Sequence, residues 1–305
     1  MPREAGQNGQ GRSHMQVIIH AGAHKTDEDK LVRCLMGNEP ILSELGTAVP
    51  HPNSYRKLLR DLLNEGLQAG LPADTRDRVL QAMRVPEGTE RLVISNHGFF
   101  GTPRMAVNSG QFYPAAVARL RLFQEILHLD DVELFLGLRD PGGLLPALAH
   151  DARAHSVADY IGGGEPKDIL WSELLARISR EVPDMPMTVW CNEDTPLIWG
   201  EVMRDMAGVE PTLRLDGEYY LLHDIMSRSG MKRFLEYMGD KPDMSEVQRR
   251  RVIAAFLDKF AEEEALEEEL ELPGWTDAMV DELSAIYDED CYAIRQIPGV
   301  VVIDP

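Results

Sequence analysis

Residues 17–26 read Val-Ile-Ile-His-Ala-Gly-Ala-His-Lys-Thr, an apolar run that passes into a turn of small residues, a lysine and a threonine. Such a run is typical of a buried parallel strand. A helical pattern follows at 30–36. At a junction of this kind, free backbone N–H groups and the lysine ammonium can point at one anion. The segment therefore predicts an α/β fold with an anion site at the end of its first strand.

The rest of the chain repeats this alternation of strand and helix. Further apolar runs predict strands at 92–94, 132–138, 187–191 and 300–303. Helical patterns lie at 30–36, 55–69, 113–127, 170–182, 196–206, 247–272 and 276–292. Alternation of this kind predicts a doubly wound, mostly parallel five-stranded sheet with helices on both faces, and ligands at the carboxyl ends of the strands.

One α/β domain over residues 16–305, with room for a helical cap, accounts for this pattern. Residues 1–15 are polar and glycine-rich, which predicts a disordered leader or an expression remnant. The glutamates of 262–269 are interpreted as the solvated face of a helix, because four apolar residues give that segment a second face: Phe256, Phe260, Leu266 and Leu270.

Charge and composition exclude several classes of function. The formal net charge is -20, so the long-range field repels nucleic acids and anionic membranes, and any phosphate site must be locally basic. The three cysteines show no paired metal-ligand spacing, which predicts neither a disulfide framework nor a zinc cluster and fits a reducing cytoplasm. No apolar run approaches the roughly 18 residues that span a bilayer, so we expect no membrane span.

The loop after the first strand resembles that of bacterial sulfotransferases, which reads approximately H-x-G-x-H-K-T-G-T-T. The match runs through His20, Gly22, His24, Lys25 and Thr26. In that family the loop binds the 5′ end of 3′-phosphoadenosine 5′-phosphosulfate (PAPS). The resemblance implies a P-loop sulfotransferase fold and a cofactor contact for the last four of these residues. It also implies that Lys25 stabilises charge on the bridging oxygen when the sulfuryl group leaves.

Other segments extend the resemblance over most of 16–305. Arg139-Asp140-Pro141 is similar to the family's R-[ND]-P segment, so Arg139 is expected on the 3′-phosphate of the cofactor. Residues 92–97 resemble the strand whose end supplies the catalytic base, which would be His97 here. Weaker similarities lie at 189–196, 286–290 and 297–300. The resemblance implies a small-molecule, saccharide or lipid hydroxyl as acceptor.

Two departures from the family pattern affect the cofactor site. Asp27-Glu28-Asp29 replaces Gly-Thr-Thr or Gly-Thr-Ser, and Ala147 stands where a serine usually contacts the 3′-phosphate. At an effective dielectric near 20, a carboxylate about 4 Å from a phosphate charge costs on the order of 4 kcal/mol. The alternative interpretation is a helix start, with Thr26 as N-cap and the acids in the first turn. The protein's own acids would then satisfy the helix dipole that a phosphate otherwise satisfies.

Several side chains have two interpretations each. His20 and His24 have a spacing that could serve a metal, but no third ligand is evident, so structural roles and no metal site are predicted. His97 can act as a general base or as an ordinary hydrogen-bonded histidine. Arg139 can contact a ligand or pair with Asp140 or Asp151.

Glu193 and Asp194 also follow a predicted strand. They can serve as an alternative base, or cap the helix that begins near Pro196.

Three functions remain open from the sequence. The first is sulfuryl transfer from PAPS to a hydroxyl, with Lys25, His97 and Arg139 in the roles given above. The second is a binding or scaffold protein that keeps the fold but has lost the donor. The third is an enzyme that uses the same crevice for another phosphorylated ligand.

Overall fold

The computed structural model describes residues 14–241, 243–262 and 272–305 of the 305-residue chain. Residues 1–13 of the expected leader lie outside these ranges, as do most of the glutamates of 262–269. Met15, assigned to the leader from the sequence, is buried, and its carbonyl accepts a hydrogen bond from the Asp131 N–H.

The centre of the fold is a parallel sheet. It contains β1 (Gln16–His20), β2 (Thr47–Ala48), β3 (Arg91–Ser95), β6 (Asp131–Leu138), β7 (Met187–Cys191) and β8 (Val300–Val302) in the order β2-β3-β1-β6-β7-β8. Every neighbouring pair runs parallel. The expected five strands all form. The count of five was wrong because Thr47–Ala48 adds a sixth, edge strand of only two residues, too short to produce an apolar run.

A small antiparallel hairpin, β4 (Val107–Asn108) and β5 (Gln111–Phe112), stands apart from the sheet. The helices of the described residues are α1 (Lys30–Gly37), α2 (Glu39–Glu44), α3 (Arg56–Ala69), α4 (Thr75–Met83), α5 (Ala116–Ile126), α6 (Pro141–Asp151), α7 (Val157–Ile161), α8 (Trp171–Glu181), α9 (Thr195–Ala207), α10 (Tyr220–Ile225), α11 (Arg228–Gly239), α12 (Glu246–Phe260) and α13 (Asp277–Ile294).

Strand β1 is buried on both faces, as a central parallel strand must be. Val17 and Ile19 belong to a core that contains side chains of α3, α5, α6 and α8, whereas Ile18 belongs to a second core with α1, α2 and α9. Because successive side chains of a strand point to opposite faces, these two cores are the two layers of helices predicted from the sequence.

Helices α10, α11 and α12 surround a third, smaller apolar cluster that contains Phe234 and Ile253. The predicted helix over 247–272 is shorter than expected. It ends at Phe260, and Ala261 pairs with Met226 in an isolated antiparallel bridge. Among the described residues, no helix has the length and apolarity that crossing a membrane requires.

Candidate active site

Three neighbouring strands bring the predicted site segments to one edge of the sheet. The central strand β1 ends at His20 and lies between β3, which is followed by His97, and β6, which is followed by Arg139. The chain adds strands on one side of β1 and then on the other, and ligands of doubly wound sheets bind at such a switch point.

The loop after β1 has a tightly turned backbone. Gly22, Lys25, Glu28 and Asp29 all have positive φ, at 51°, 62°, 48° and 67°. At Gly22 a Cβ atom would come within 3.3 Å of the His97 Cα, so this glycine allows the loop to approach the end of β3. Three non-glycine residues in the left-handed region indicate that the surrounding contacts over-determine the loop conformation.

The two histidines of the motif have protein partners. His20 is buried, with its Nδ1 atom 3.1 Å from Ser95 Oγ, and its ring stacks on Trp190. The His24 backbone N–H donates to the Tyr113 hydroxyl, which also lies 3.0 Å from the Nδ1 atom of the same histidine. Burial lowers the pKa of His24 to about 4 and also lowers that of His20, so both rings are neutral at pH 7.

Lys25 and Arg139 are both tied to the protein. The Lys25 ammonium lies 3.0 Å from the Asp151 carboxylate at the end of α6, and Arg139 Nη1 donates to the Lys25 carbonyl at 2.5 Å. The Arg139 carbonyl accepts from the Trp171 indole N–H. Arg139 thus helps to hold the loop in place, and of these side chains only Lys25 and Asp151 line the adjacent crevice.

Helix α1 begins later than the capping interpretation predicts. Its N-cap position is Asp29, whose side chain makes no capping bond, and no acid lies in its first turn. The Thr26 hydroxyl donates to the Ala23 carbonyl instead. Capping comes from Asp27, which is buried and whose Oδ2 atom accepts from the Leu31 N–H at 3.1 Å. The Asp27 carboxylate therefore lies at the positive, N-terminal end of the α1 dipole.

Asp29 connects Arg56, a partly buried arginine, to His97. Arg56 Nη2 and Nη1 donate to the two Asp29 oxygens at 2.6 and 2.7 Å, and Arg56 Nε donates to the Ser95 carbonyl. The His97 Nδ1 atom lies 3.3 Å from Asp29 Oδ1. Hydrogen bonds from Arg56 and then from His97 hold the pKa of the Asp29 carboxyl well below its usual range. The half-exposed imidazole therefore has a fixed carboxylate partner.

These residues line a crevice of about 1070 Å³. Helix α3 forms one wall, and the residues after β3 form another. Five cations and four acids line it, so its lining carries one net positive charge, whereas the whole chain has a formal net charge of -20. The cations are Lys25, Arg56, Lys57, Arg60 and Arg119, and the acids are Asp27, Glu28, Asp29 and Asp151. The crevice is thus locally basic, as the sequence requires of any anion site.

The sequence did not indicate the contribution of α3. Arg56 and Lys57 lie in the first turn of this helix, where the dipole disfavours cations and no acid is present, and Arg60 follows in the next turn. That inversion of the usual charge preference is the signal that could have pointed to α3. Arg119 on α5 carried no comparable signal. It is buried, and it donates to the Phe99 carbonyl and to Asn64 Oδ1.

The remaining candidates lie outside the crevice lining. Glu193 accepts from the Asp140 N–H and from the Tyr287 hydroxyl, and burial raises the pKa of its carboxyl. Asp194 is the N-cap residue of α9 and makes no side-chain capping bond. Ala147 is buried within α6. In the part of the chain that the structure describes, no three His, Cys, Asp or Glu side chains are grouped to hold a metal ion.

Comparison of the chain with protein-family models, with curated proteins and with solved structures returned no match. The geometry of this crevice is therefore the basis for its proposed function.

Proposed function

We propose that this chain is a sulfotransferase-like binding protein whose crevice accepts a small anionic ligand and no longer binds PAPS. The observation that carries the proposal is the hydrogen bond from the Leu31 N–H to the Asp27 carboxylate. At the start of α1, where an anion would bind, the protein supplies its own carboxylate.

The neighbouring charges add support for the loss of the donor. Glu28 and Asp29 also line the crevice, and the Lys25 ammonium already has Asp151 as its partner. A carboxylate about 4 Å from a phosphate charge costs on the order of 4 kcal/mol, or about a thousandfold in affinity. The residues present do not fit a phosphosulfate group, so no reaction step is assigned to one.

The expected ligand class follows from α3. Arg56 already forms an ion pair with Asp29, and Arg119 already donates hydrogen bonds to the Phe99 carbonyl and the Asn64 side chain. Lys57 is exposed, and Arg60 pairs only with the adjacent, exposed Asp61 among the described residues. Exposed pairs contribute little, so a ligand can displace Asp61 at low cost. Lys57 and Arg60 would therefore bind a carboxylate or phosphate group.

Calorimetric titration with PAPS and with adenosine 3′,5′-bisphosphate tests the loss of the donor. We expect no heat of binding at millimolar nucleotide. Asp27→Gly combined with Glu28→Thr should restore measurable affinity for PAPS, because it removes two carboxylates from the cradle. The matched control is Glu125→Gln with Glu282→Gln, which removes two exposed charges elsewhere. If the unmodified chain binds PAPS tightly and Lys25→Ala abolishes that binding, sulfuryl transfer from PAPS would be the better supported function.

Thermal unfolding with added phosphate, citrate or adenosine monophosphate tests the ligand class. At least one of these anions should raise the unfolding midpoint, and Lys57→Gln with Arg60→Gln should remove the increase. Lys167→Gln, which changes an exposed lysine outside the crevice, should leave it intact. An increase that survives the α3 double variant would contradict the role assigned to this helix.

A second candidate function is an enzyme acting on another phosphorylated ligand in the same crevice. The contact between His97 and Asp29 favours it, because a carboxylate on Nδ1 orients the ring and leaves Nε2 to accept a proton. Once a substrate is found, His97→Gln should abolish turnover. Asp29→Asn should lower kcat, because it removes the carboxylate that orients the ring. Equal activity in all three proteins would remove this candidate.

A further inference from the structure

The fold brings together two cysteines that are one hundred residues apart in the chain. Cys191 ends β7, Cys291 lies in α13, and their Sγ atoms are 3.4 Å apart. Both are free thiols, and both residues are only partly buried. The spacing in the sequence gave no indication of this pair, because a helix and a strand bring it together.

The geometry suits a covalent bond between the two sulfurs. A disulfide has an S–S length of about 2.05 Å, so the atoms must approach by roughly 1.3 Å, which small side-chain rotations can supply. The hydrogen bond from Cys291 lowers the pKa of the Cys191 thiol, and burial opposes that effect. Cys191 is accordingly the better nucleophile of the two, because the thiolate is the reactive form.

We propose that Cys191 and Cys291 form a dithiol–disulfide couple, a modification site that a small organic disulfide such as oxidised glutathione oxidises. The Cys191 thiolate attacks one sulfur of the reagent, forming a mixed disulfide and releasing one thiolate. Cys291 then attacks Cys191 Sγ and releases the second. The pair loses two electrons and two protons, and the reagent becomes two thiols.

The bond would fix α13 against the sheet. This helix already holds the segment after β6, because Ser284 donates to Asp140 at 2.5 Å and Tyr287 donates to Glu193, which in turn accepts from the Asp140 N–H. Cross-linking β7 to α13 closes a loop of one hundred residues, which disfavours the unfolded chain. The stabilised segment includes Arg139, which holds the Lys25 carbonyl.

Equilibration of the full chain in glutathione buffers of rising redox potential tests this proposal. After quenching, denaturation and alkylation, intact mass and peptide mapping count the remaining thiols. We expect the number of alkylated cysteines to fall from three to one, Cys34, with a loss of two hydrogen atoms. The unfolding midpoint should rise by several degrees and return on reduction. Cys34→Ala, which changes the buried cysteine of the other core, should keep this response.

Cys291→Ser separates the two steps. It should accumulate a glutathione adduct on Cys191 that the unmodified chain does not retain. Three results would each overturn the proposal: a lasting adduct on the unmodified chain, cross-linking only after denaturation, or a bond between two chains. None of these outcomes depends on the ligand of the crevice, so the proposed function and the thiol couple can fail separately.

Discussion

His24 shows how single residues hold the loop after β1 without a ligand. Its backbone N–H and its ring both contact the Tyr113 hydroxyl, and the ring stacks on the Tyr113 ring. Burial lowers the pKa of His24 to about 4, so the packed imidazole is neutral near pH 7. The fold therefore resists protonation of this side chain.

His24 should make stability depend on pH between about 6.5 and 4. In the unfolded chain its pKa is about 6.5, so over this window the unfolded state binds more protons and stability falls as the pH falls. His24→Gln should reduce the slope of the free energy of unfolding against pH by up to about 1.4 kcal/mol per pH unit. Urea unfolding at a series of pH values measures it. His128→Gln, at an exposed position, should leave the slope unchanged, and an equal slope in all three proteins would contradict the assignment.

At the residue scale, only part of the crevice lining followed from the sequence. Lys25 and His97 meet at the crevice because both follow strands adjacent in the sheet. The ion pair of Arg56 with Asp29 was not predictable, since α3 carries no motif and the pairing depends on how that helix packs. Asp29 was interpreted as a helix-start acid, and its contact with His97 follows only from the left-handed turn of the loop.

Among the elements, α11 packs closely against the end of α12 at Gly230. A Cβ atom on Gly230 of α11 would overlap the Cβ atom of Phe260, the last residue of α12, whereas a Cβ atom on Gly239 of the same helix would meet open space. These two glycines therefore differ in packing although they belong to one helix.

Gly230→Ala should destabilise the protein by roughly 2–3 kcal/mol, because Phe260 must move out of a packed cluster. Gly239→Ala is the matched control and should be neutral or stabilise by up to about 0.5 kcal/mol, since alanine restricts the unfolded chain. Chemical denaturation of both variants gives the comparison. Similar free energies of unfolding for the two variants would contradict close packing of α11 against Phe260 at Gly230.

Element types were more predictable than element ends. The buried strands and the amphipathic helices follow from hydrophobic periodicity, which is why all five expected strands form. Strand β2 and the end of α12 did not follow, because tertiary contacts determine them. Thr47–Ala48 pairs with β3, and the bridge between Ala261 and Met226 follows the end of the helix.

At the scale of the whole molecule, buried ion pairs join the helical cluster of α10–α12 to α9, a helix of the second core. Glu218 accepts from Arg204 of α9 at 2.5 Å and lies 3.7 Å from Arg249 of α12. Arg204 also bonds to Glu246 at the start of α12. Glu218, Arg204 and Arg249 are nearly inaccessible to solvent, so each depends on the others for its charge.

Glu218→Ala should cost about 3–5 kcal/mol, because it leaves buried Arg204 and Arg249 with only the partly exposed Glu246 as a shared carboxylate. The control Glu236→Ala breaks an exposed pair with Lys232 and should change stability by less than about 0.5 kcal/mol. Urea unfolding monitored by tryptophan fluorescence measures both variants. Equal effects would show that the network contributes no more than a surface pair.

The small excess of cations in the crevice has a kinetic consequence in a chain of net charge -20. An approaching anion is first repelled by the whole molecule and is attracted only near contact. The Debye length is about 10 Å at 0.1 M salt, so added salt screens the distant repulsion more than the contacts themselves. Moderate ionic strength should therefore accelerate the entry of phosphate or citrate, the reverse of its usual effect on ligands that opposite charge steers to a protein.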